Sequence, residues 1–315
     1  MTTRRRPWRA AARTWPLVCL LLATSLAGCQ RAEAAPAVII GVGSTDEQRV
    51  LAALADAALR RADIPTEVRH DLGGTLGLRR QALGDQVDLY WDYTGAAWAL
   101  GLRESAPPAD PVESWERVRE ADERQGLRWL EPTQANATLA LVVRASDLPP
   151  PDAQHDLSWL AGELSGGTRR LCADADFMAR DGGLRALAAE YGIDIAGLPR
   201  QPADEAAAVA GVRDGTCYAG LATATSGAAR AAGLVPVADE LRVFPAFVVA
   251  PVVRAGTPAD SQAVVAALTP LTRALDTATL AALNARAVEG EDPPAIAASF
   301  LDALAEGSEQ STPDE

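Results

Sequence analysis

Short apolar runs alternate with amphipathic stretches over most of the chain. The run at 38–42 is rich in β-branched residues, and residues 46–62 follow it with leucine and alanine at helical spacing. A strand-like segment at 67–69, a helix led by glycine and an apolar run at 87–91 come next. The order strand, helix, strand, helix, strand is typical of a parallel sheet with crossover helices.

The same alternation begins again near residue 139. An apolar strand is predicted at 139–144, further strands and helices follow from 170, and a long apolar strand is predicted at 243–253. Because about 280 residues exceed a typical single core, we expect two α/β lobes. Three closing helices are predicted at 258–275, 276–286 and 293–305.

The first 28 residues are predicted to be a lipoprotein signal peptide. Five arginines precede an apolar run at 15–26, which is shorter than the roughly 20 residues of a membrane-spanning helix. The motif Leu-Ala-Gly-Cys at 26–29 resembles a lipobox, which predicts lipidation of Cys29; the alternative is an ordinary cleavage site beside an unrelated cysteine. Residues 29–36 are predicted to be a tether, and residues 306–315 an acidic tail.

Without that leader the chain is strongly acidic. Removing its five arginines leaves 24 basic residues against 42 acidic ones, a formal net charge of about −18. Such a surface repels nucleic acid and anionic lipid headgroups. We therefore expect no nucleic-acid partner.

Two cysteines remain for the folded part, Cys172 and Cys217. In an exported protein two such cysteines more often pair than stay free, so we predict a disulfide; the alternative is two separate buried thiols. With two histidines and no His-Glu-x-x-His motif, no metal site is predicted. The chain also lacks a Gly-x-Ser-x-Gly elbow, a phosphate-binding loop and a dinucleotide fingerprint, so we predict neither enzymatic activity nor a cofactor.

Four aromatic residues fall within nine positions of a chain that is 5% aromatic: Tyr90, Trp91, Tyr93 and Trp98. Tyr90 and Trp91 lie at the end of a predicted strand and Tyr93 in the turn after it, and ligands of open α/β sheets bind at the carboxyl ends of strands. Aromatic faces attract diffuse cations there. Tyr93 is the predicted ligand contact, whereas the other three are interpreted as either cage or core.

Several motifs resemble the substrate-binding proteins of glycine betaine/carnitine/choline ABC transporters. Leu-Gly-Gly-Thr at 72–75 is followed by Gly-Asp-Gln-Val-Asp-Leu-Tyr-Trp-Asp-Tyr-Thr-Gly at 84–95 and by Phe-Met-Ala-Arg-Asp-Gly-Gly-Leu at 177–184. The segment 243–254 and the helix region 284–301 extend the resemblance, which spans nearly all of 38–305 in the family's order.

The resemblance implies an α/β, two-lobed type II periplasmic-binding-protein fold that closes on its ligand. Two crossover connections are then expected near 136–139 and 244–247. Lobe one comprises residues 37–138 and 248–305, and lobe two comprises residues 139–247.

The resemblance also implies an aromatic cage for the ligand. Tyr93 keeps one cage position and Phe247 places a ring at another, while Leu139 and Thr223 stand where the family has tyrosines. Thr94 is the neighbour of Tyr93 in the same motif and is included in the predicted site.

Three further positions correspond to the family's carboxylate-binding residues. The position of a family lysine falls near Thr45, and that of a threonine is Ala96. Arg180 keeps the family's arginine, whose guanidinium can bind a carboxylate through two hydrogen bonds.

The predicted function is capture of a small organic solute, glycine betaine, choline or a related quaternary amine, and its delivery to an ABC permease. We expect a monomer that is held by its lipid anchor on the outer or periplasmic side of the cell membrane. Two alternatives stay open: a binding protein for another zwitterion or amino-acid-like solute such as ergothioneine, and a sensor or binding module that works without a transporter.

Overall fold

Strands and helices alternate along the chain much as the apolar pattern predicts. The computed structural model describes residues 35–150 and 155–310, with side chains to 307; the signal peptide, Cys29 and most of the tether lie outside the described residues. The strands are β1 (Val38–Gly41), β2 (Thr66–Arg69), β3 (Leu89–Tyr93), β4 (Leu127–Trp129), β5 (Leu139–Arg144), β6 (Leu171–Ala173), β7 (Arg200–Pro202), β8 (Ala219–Thr223), β9 (Leu234–Pro236) and β10 (Val249–Arg254). The helices are α1 (Asp46–Arg61), α2 (Thr75–Leu83), α3 (Thr94–Ala96), α4 (Pro111–Glu123), α5 (Leu157–Leu164), α6 (Ala175–Ala179), α7 (Ala186–Tyr191), α8 (Glu205–Arg213), α9 (Gly227–Ala231), α10 (Gln262–Ala274), α11 (Thr277–Val288) and α12 (Pro293–Gln310).

The strands form two five-stranded mixed sheets with the same arrangement. Sheet one has the order β2-β1-β3-β10-β4, in which β1 pairs in parallel with β2 and β3, and β10 pairs antiparallel with β3 and β4. Sheet two has the order β7-β6-β8-β5-β9, with β5 antiparallel to both its neighbours. We call sheet one with α1–α4 and α10–α12 lobe one, and sheet two with α5–α9 lobe two.

The chain passes between the sheets twice, once between β4 and β5 and once between β9 and β10. The long strand predicted at 243–253 is wrong in its first half, because sheet pairing begins only at Val249. Side chains of lobe one hold the backbone before it: the amide of Phe247 donates to Asn136 Oδ1 (2.7 Å), and the amide of Val248 donates to Thr94 Oγ1 (3.1 Å). The bonds to Asn136 and Thr94 explain why an apolar run that predicts one strand folds as a crossing followed by a strand.

The core of lobe one lies on both faces of sheet one. Successive side chains of a strand point to opposite faces, so Trp91 packs with the helices α1 and α10–α12, whereas Tyr90 packs with the layer that contains α2 and α4. That second layer also holds a buried ion pair, in which Arg79 Nη1 donates to Asp122 Oδ2 (2.6 Å). Tyr90 and Trp91 of β3 therefore both pack in the core of lobe one.

The core of lobe two is built from leucines and two phenylalanines on one face of sheet two and from smaller residues on the other. The rings of Phe177 and Phe244 pack with their centroids 6.0 Å apart. On the opposite face a disulfide joins Cys172 in β6 to Cys217, which precedes β8, with a Cα–Cα distance of 5.9 Å. Gly211 of α8 leaves room for it, because a Cβ there would lie 2.6 Å from Cys217 Sγ.

Two further findings concern the helices. No helix within the two described ranges is long and apolar enough to cross a membrane. The last helix, α12, continues to Gln310, so its backbone extends five residues into the segment interpreted as an acidic tail.

Candidate functional site

A cavity of about 480 Å³ opens between the lobes, beside the two crossings. Lobe one contributes the beginnings of α1 and α2, the end of β3 and part of α11. Lobe two contributes the ends of β5 and β8 and the beginnings of α8 and α9. The wall consists of Thr45, Asp46, Glu47, Gln48, Gly74, Thr75, Tyr93, Ala96, Ala137, Leu139, Glu205, Thr223, Thr225, Ser226, Gly227, Ala228, Phe247, Asn284 and Val288.

Two aromatic rings line this cavity, those of Tyr93 and Phe247. Tyr93 is the last residue of β3, so its ring emerges at the carboxyl end of the strand, where ligands bind in open α/β sheets. Phe247 lies on the second crossing, against the backbone of Gly95. A Cβ at Gly95 would come within 2.5 Å of the Phe247 ring, so the glycine of the Tyr-Thr-Gly motif makes room for the second aromatic residue.

Three other predicted positions also line the cavity. Thr45 is the N-cap of α1, where its hydroxyl accepts from the amide of Gln48 (3.1 Å). Leu139 and Thr223 are cross-strand partners at the ends of β5 and β8. The hydroxyl of Thr45 is thus used as a helix cap, and the positions of the family's tyrosines are filled by an apolar and a small polar side chain.

Thr94, which the sequence places in the predicted site, is absent from the cavity wall. The residue is fully buried, and its hydroxyl donates to the carbonyl of Ala246 (3.2 Å) while accepting from Ser114 Oγ (2.8 Å) and from the amide of Val248. The crossing and Ser114 of α4 together use all the hydrogen-bonding capacity of this hydroxyl. Thr94 therefore holds the backbone on both sides of Phe247.

Arg180 also lies outside the wall. It follows α6 in lobe two, its side chain is 44% exposed, and its Nε lies 3.6 Å from Asp176 Oδ2. The structure therefore does not bring this guanidinium together with the two rings.

The other aromatic residues of the cluster are separated from the ligand cavity. Tyr90 and Trp91 are buried in the two cores of lobe one. Trp98 is partly buried and donates through Nε1 to the carbonyl of Ser105 (3.0 Å). Of the four rings in the cluster, Tyr93 alone belongs to the wall described above.

Glu47 is the functional candidate that the sequence did not reveal. Its Oε1 accepts from Tyr93 Oη (2.6 Å) and its Oε2 accepts from Asn284 Nδ2 (2.6 Å). Burial raises the pKa of Glu47, although hydrogen bonds from Thr225, Tyr93 and Asn284 act in the opposite direction. In sequence, this residue follows the Thr45 N-cap and looks like an ordinary acid of a first helical turn.

Asn284 connects the carboxylate of Glu47 to lobe two. Its Nδ2 donates both to Glu47 and to the carbonyl of Thr225 (2.9 Å). Close approach of the lobes supports this bridge, because a Cβ at Gly227 of α9 would lie 2.5 Å from the backbone of Asn284 in α11. The cavity floor is therefore a contact between the lobes.

A second carboxylate reaches the cavity from lobe two. Glu205 is the first residue of α8, and its Oε2 accepts from the amide of Thr223 (3.2 Å). The wall contains no arginine or histidine among the residues that the structure describes. Nor do those residues include a cluster of three or more histidines, cysteines or acids that could hold a metal ion.

A cleft between two similar α/β lobes, lined by aromatic rings and hydrogen-bonding groups, defines a solute-binding protein of the type that closes on its ligand. The sequence matches, over residues 36–303, the family described as the substrate binding domain of the ABC-type glycine betaine transport system. The chain belongs to this family, whose members bind substrates for ABC transporters and are not enzymes.

Curated relatives agree with this assignment. The glycine-betaine-binding protein of Pseudomonas aeruginosa is 30% identical over 274 residues, which cover 83% of this chain and 86% of the relative. The glycine betaine-binding protein YehZ of Escherichia coli is 31% identical over 278 residues, covering 85% of this chain and 91% of the relative.

Solved structures extend the likeness to the fold. Apo YehZ from Escherichia coli superposes with a TM-score of 0.77 at 29% identity and covers 85% of this chain and 99% of its own. A glycine betaine/carnitine/choline ABC transporter structure superposes with the same TM-score at 20% identity, covering 84% and 98%, and shows the fold alone. The predicted α/β, two-lobed periplasmic-binding-protein fold is confirmed.

Proposed function

We propose that the protein binds a quaternary amine, glycine betaine, choline or a close analogue, in the cavity between its lobes. One observation carries this proposal: the rings of Tyr93 and Phe247 line the same cavity as the carboxylate of Glu47. A trimethylammonium group has no N–H to donate, so it is recognised by aromatic faces and by nearby negative charge. Family membership and two relatives named for glycine betaine binding support the same ligand class.

Ligand capture is proposed to work by lobe closure. The wall is shared between lobes that are joined by two crossings, and the lobes already touch through Gly227 and Asn284. A ligand that contacts both lobes favours the closed arrangement by its additional contacts there. Closure then presents both lobes together to the permease.

The proposed setting is the extracytoplasmic side of a membrane, with Cys29 as the lipidated residue and a monomeric binding protein as the working form. Replacing Cys29 by serine is expected to release the folded protein from membranes, which fractionation followed by immunoblotting measures. A processed, lipidated Cys29→Ser protein would contradict this anchor.

The ligand is tested by isothermal titration calorimetry of the purified protein. Glycine betaine, choline, ergothioneine and proline are titrated separately, and saturable binding is expected for at least one of glycine betaine and choline and not for proline. Tyr191→Ala is the control: it removes a tyrosine that bonds Asp239 in lobe two and is absent from the cavity wall, so it should leave ligand binding unchanged. Tight binding of ergothioneine or proline with none of glycine betaine and choline would contradict the proposal.

A further inference from the structure

The charges of the cavity suggest more than a general affinity for quaternary amines. Resting on the function proposed above, we propose that this cavity selects cations without a carboxylate, of which choline is the simplest, over zwitterions such as glycine betaine. The two ligands share a trimethylammonium head and differ in the group at the other end. To select choline, the wall has to favour its neutral hydroxyl over the carboxylate of glycine betaine.

Charge in the wall has one sign. Asp46 and Glu47 line the cavity from lobe one and Glu205 lines it from lobe two, and no arginine or histidine is among the described residues of the wall. Besides burial, the nearby charge of Glu205 contributes to the raised pKa of Glu47. A bound cation relieves the repulsion between these carboxylates, whereas a ligand carboxylate adds a further negative charge beside them.

Hydrogen bonds from the protein hold the carboxylates of Glu47 and Glu205 in place. Glu47 is held by Tyr93 and Asn284, and Glu205 is held by the amide of Thr223. A carboxylate that already accepts hydrogen bonds from the protein stays in the wall instead of turning to solvent. The fold therefore places both acidic groups at the cavity.

The groups that would bind a ligand carboxylate are missing or weak. Arg180 is exposed, lies beside Asp176 and is absent from the wall. The start of α2 at Gly74 has no side-chain cap and carries about half of a positive charge, which is less than the full charge of either carboxylate. Neutral hydroxyls of Thr75 and Thr223 remain in the wall and suit the hydroxyl of choline.

Competing calorimetric titrations with choline chloride and glycine betaine test the inference. The native protein is expected to bind choline at least about ten-fold more tightly than glycine betaine. Glu205→Gln should weaken choline binding by about five-fold or more and bring the two affinities closer together. Glu190→Gln, an exposed change on α7 of the same lobe, should leave both affinities at their native values.

The outcomes separate this inference from the function on which it rests. Binding of neither ligand to the native protein would overturn the proposed function. Glycine betaine that binds as tightly as choline, or more tightly, would overturn the selectivity and leave the function standing. Should Glu205→Gln fail to fold, as judged by circular dichroism, the ratio of the two native affinities still decides.

Discussion

Lobe one and lobe two have the same strand arrangement but are stabilised by different interactions. Lobe one buries large aromatic residues of β3 and an ion pair between Arg79 and Asp122. Lobe two packs leucines and two phenylalanines on one face of sheet two and small residues on the other, where a disulfide joins Cys172 of β6 to Cys217 before β8. The topology therefore does not require one type of core, and each lobe should respond to a different perturbation.

The same contrast holds at the cavity. Lobe one supplies the ring of Tyr93 and the buried carboxylate bonded to it, whereas lobe two supplies Glu205 and short side chains such as Thr223. Most of the apolar contact for a ligand is thus expected from lobe one and its crossing. The predictions below test this division, beginning with the largest effect.

Asp122→Asn is expected to destabilise lobe one by about 3–5 kcal/mol, because it leaves the buried guanidinium of Arg79 without its counter-charge. Burial alone would lower the pKa of Arg79, yet the bond to Asp122 keeps that pKa above its ordinary value. Urea unfolding followed by circular dichroism measures the loss. Glu120→Gln is the matched control on the same helix, since its pair with Arg124 is exposed and contributes at most about 1 kcal/mol. Equal effects of the two changes would contradict the role of the buried pair.

Asp92→Asn is expected to change how stability depends on pH. Burial raises the pKa of Asp92 to about 7, against the opposing effects of the Tyr93 amide and Arg79. The folded state therefore holds the proton more tightly than the unfolded state, and the stabilisation is complete below about pH 4 and lost as the pH rises to about 7. The variant should gain up to about 4 kcal/mol relative to the native protein over that range.

Chemical denaturation at several pH values measures this difference. Asp181→Asn in lobe two serves as its control, because that carboxylate is 95% exposed. A constant difference between Asp92→Asn and the native protein from acid to neutral pH would show that Asp92 does not titrate in this way.

Replacing both Cys172 and Cys217 by alanine is expected to cost about 2–4 kcal/mol, because the disulfide closes a loop with a sequence separation of 45. The loss should be confined to lobe two. Hydrogen exchange measured by mass spectrometry should show faster exchange in β6 and β8 and little change in β1 and β3. Equal acceleration in both sheets would mean that the lobes unfold as one unit.

Tyr93→Ala is expected to weaken binding of a trimethylammonium ligand by about five- to thirty-fold, or about 1–2 kcal/mol, because one aromatic face is lost. Thr223→Ala, on the lobe-two side of the cavity, should weaken it by less than about three-fold. Calorimetry measures both, with circular dichroism as the check on folding. A larger loss for Thr223→Ala would reverse the proposed division between the lobes.

Much of the fold was open to prediction from sequence. Strand and helix alternation, the family motifs and the position of Tyr93 at the end of β3 all depend on residues that are close together along the chain. The strand prediction at 243–253 failed because local sequence does not show distant partners. Asn136 and Thr94, both distant in sequence, hold residues 247 and 248 in the crossing. An apolar run alone does not show where its backbone finds partners.

The site was predicted less completely. The cavity is lined by five of the predicted residues: Tyr93, Phe247, Thr45, Leu139 and Thr223. Thr94 is buried among its hydrogen-bond partners, and Arg180 lies outside the wall. The motif resemblance locates a segment correctly without fixing which of its side chains reach the ligand.

The sequence by itself determined the family, the two-lobed α/β architecture and the aromatic residue at the end of β3, because periodicity and short motifs carry that information. Tertiary structure alone decided that Glu47, Tyr93 and Asn284 meet, since Glu47 and Asn284 are 237 positions apart. It also decided the sign of the charge in the cavity, by bringing Glu205 to one wall and leaving Arg180 outside. Electrostatic interaction depends on distance and burial, and both arise only when the two lobes have folded and approached each other.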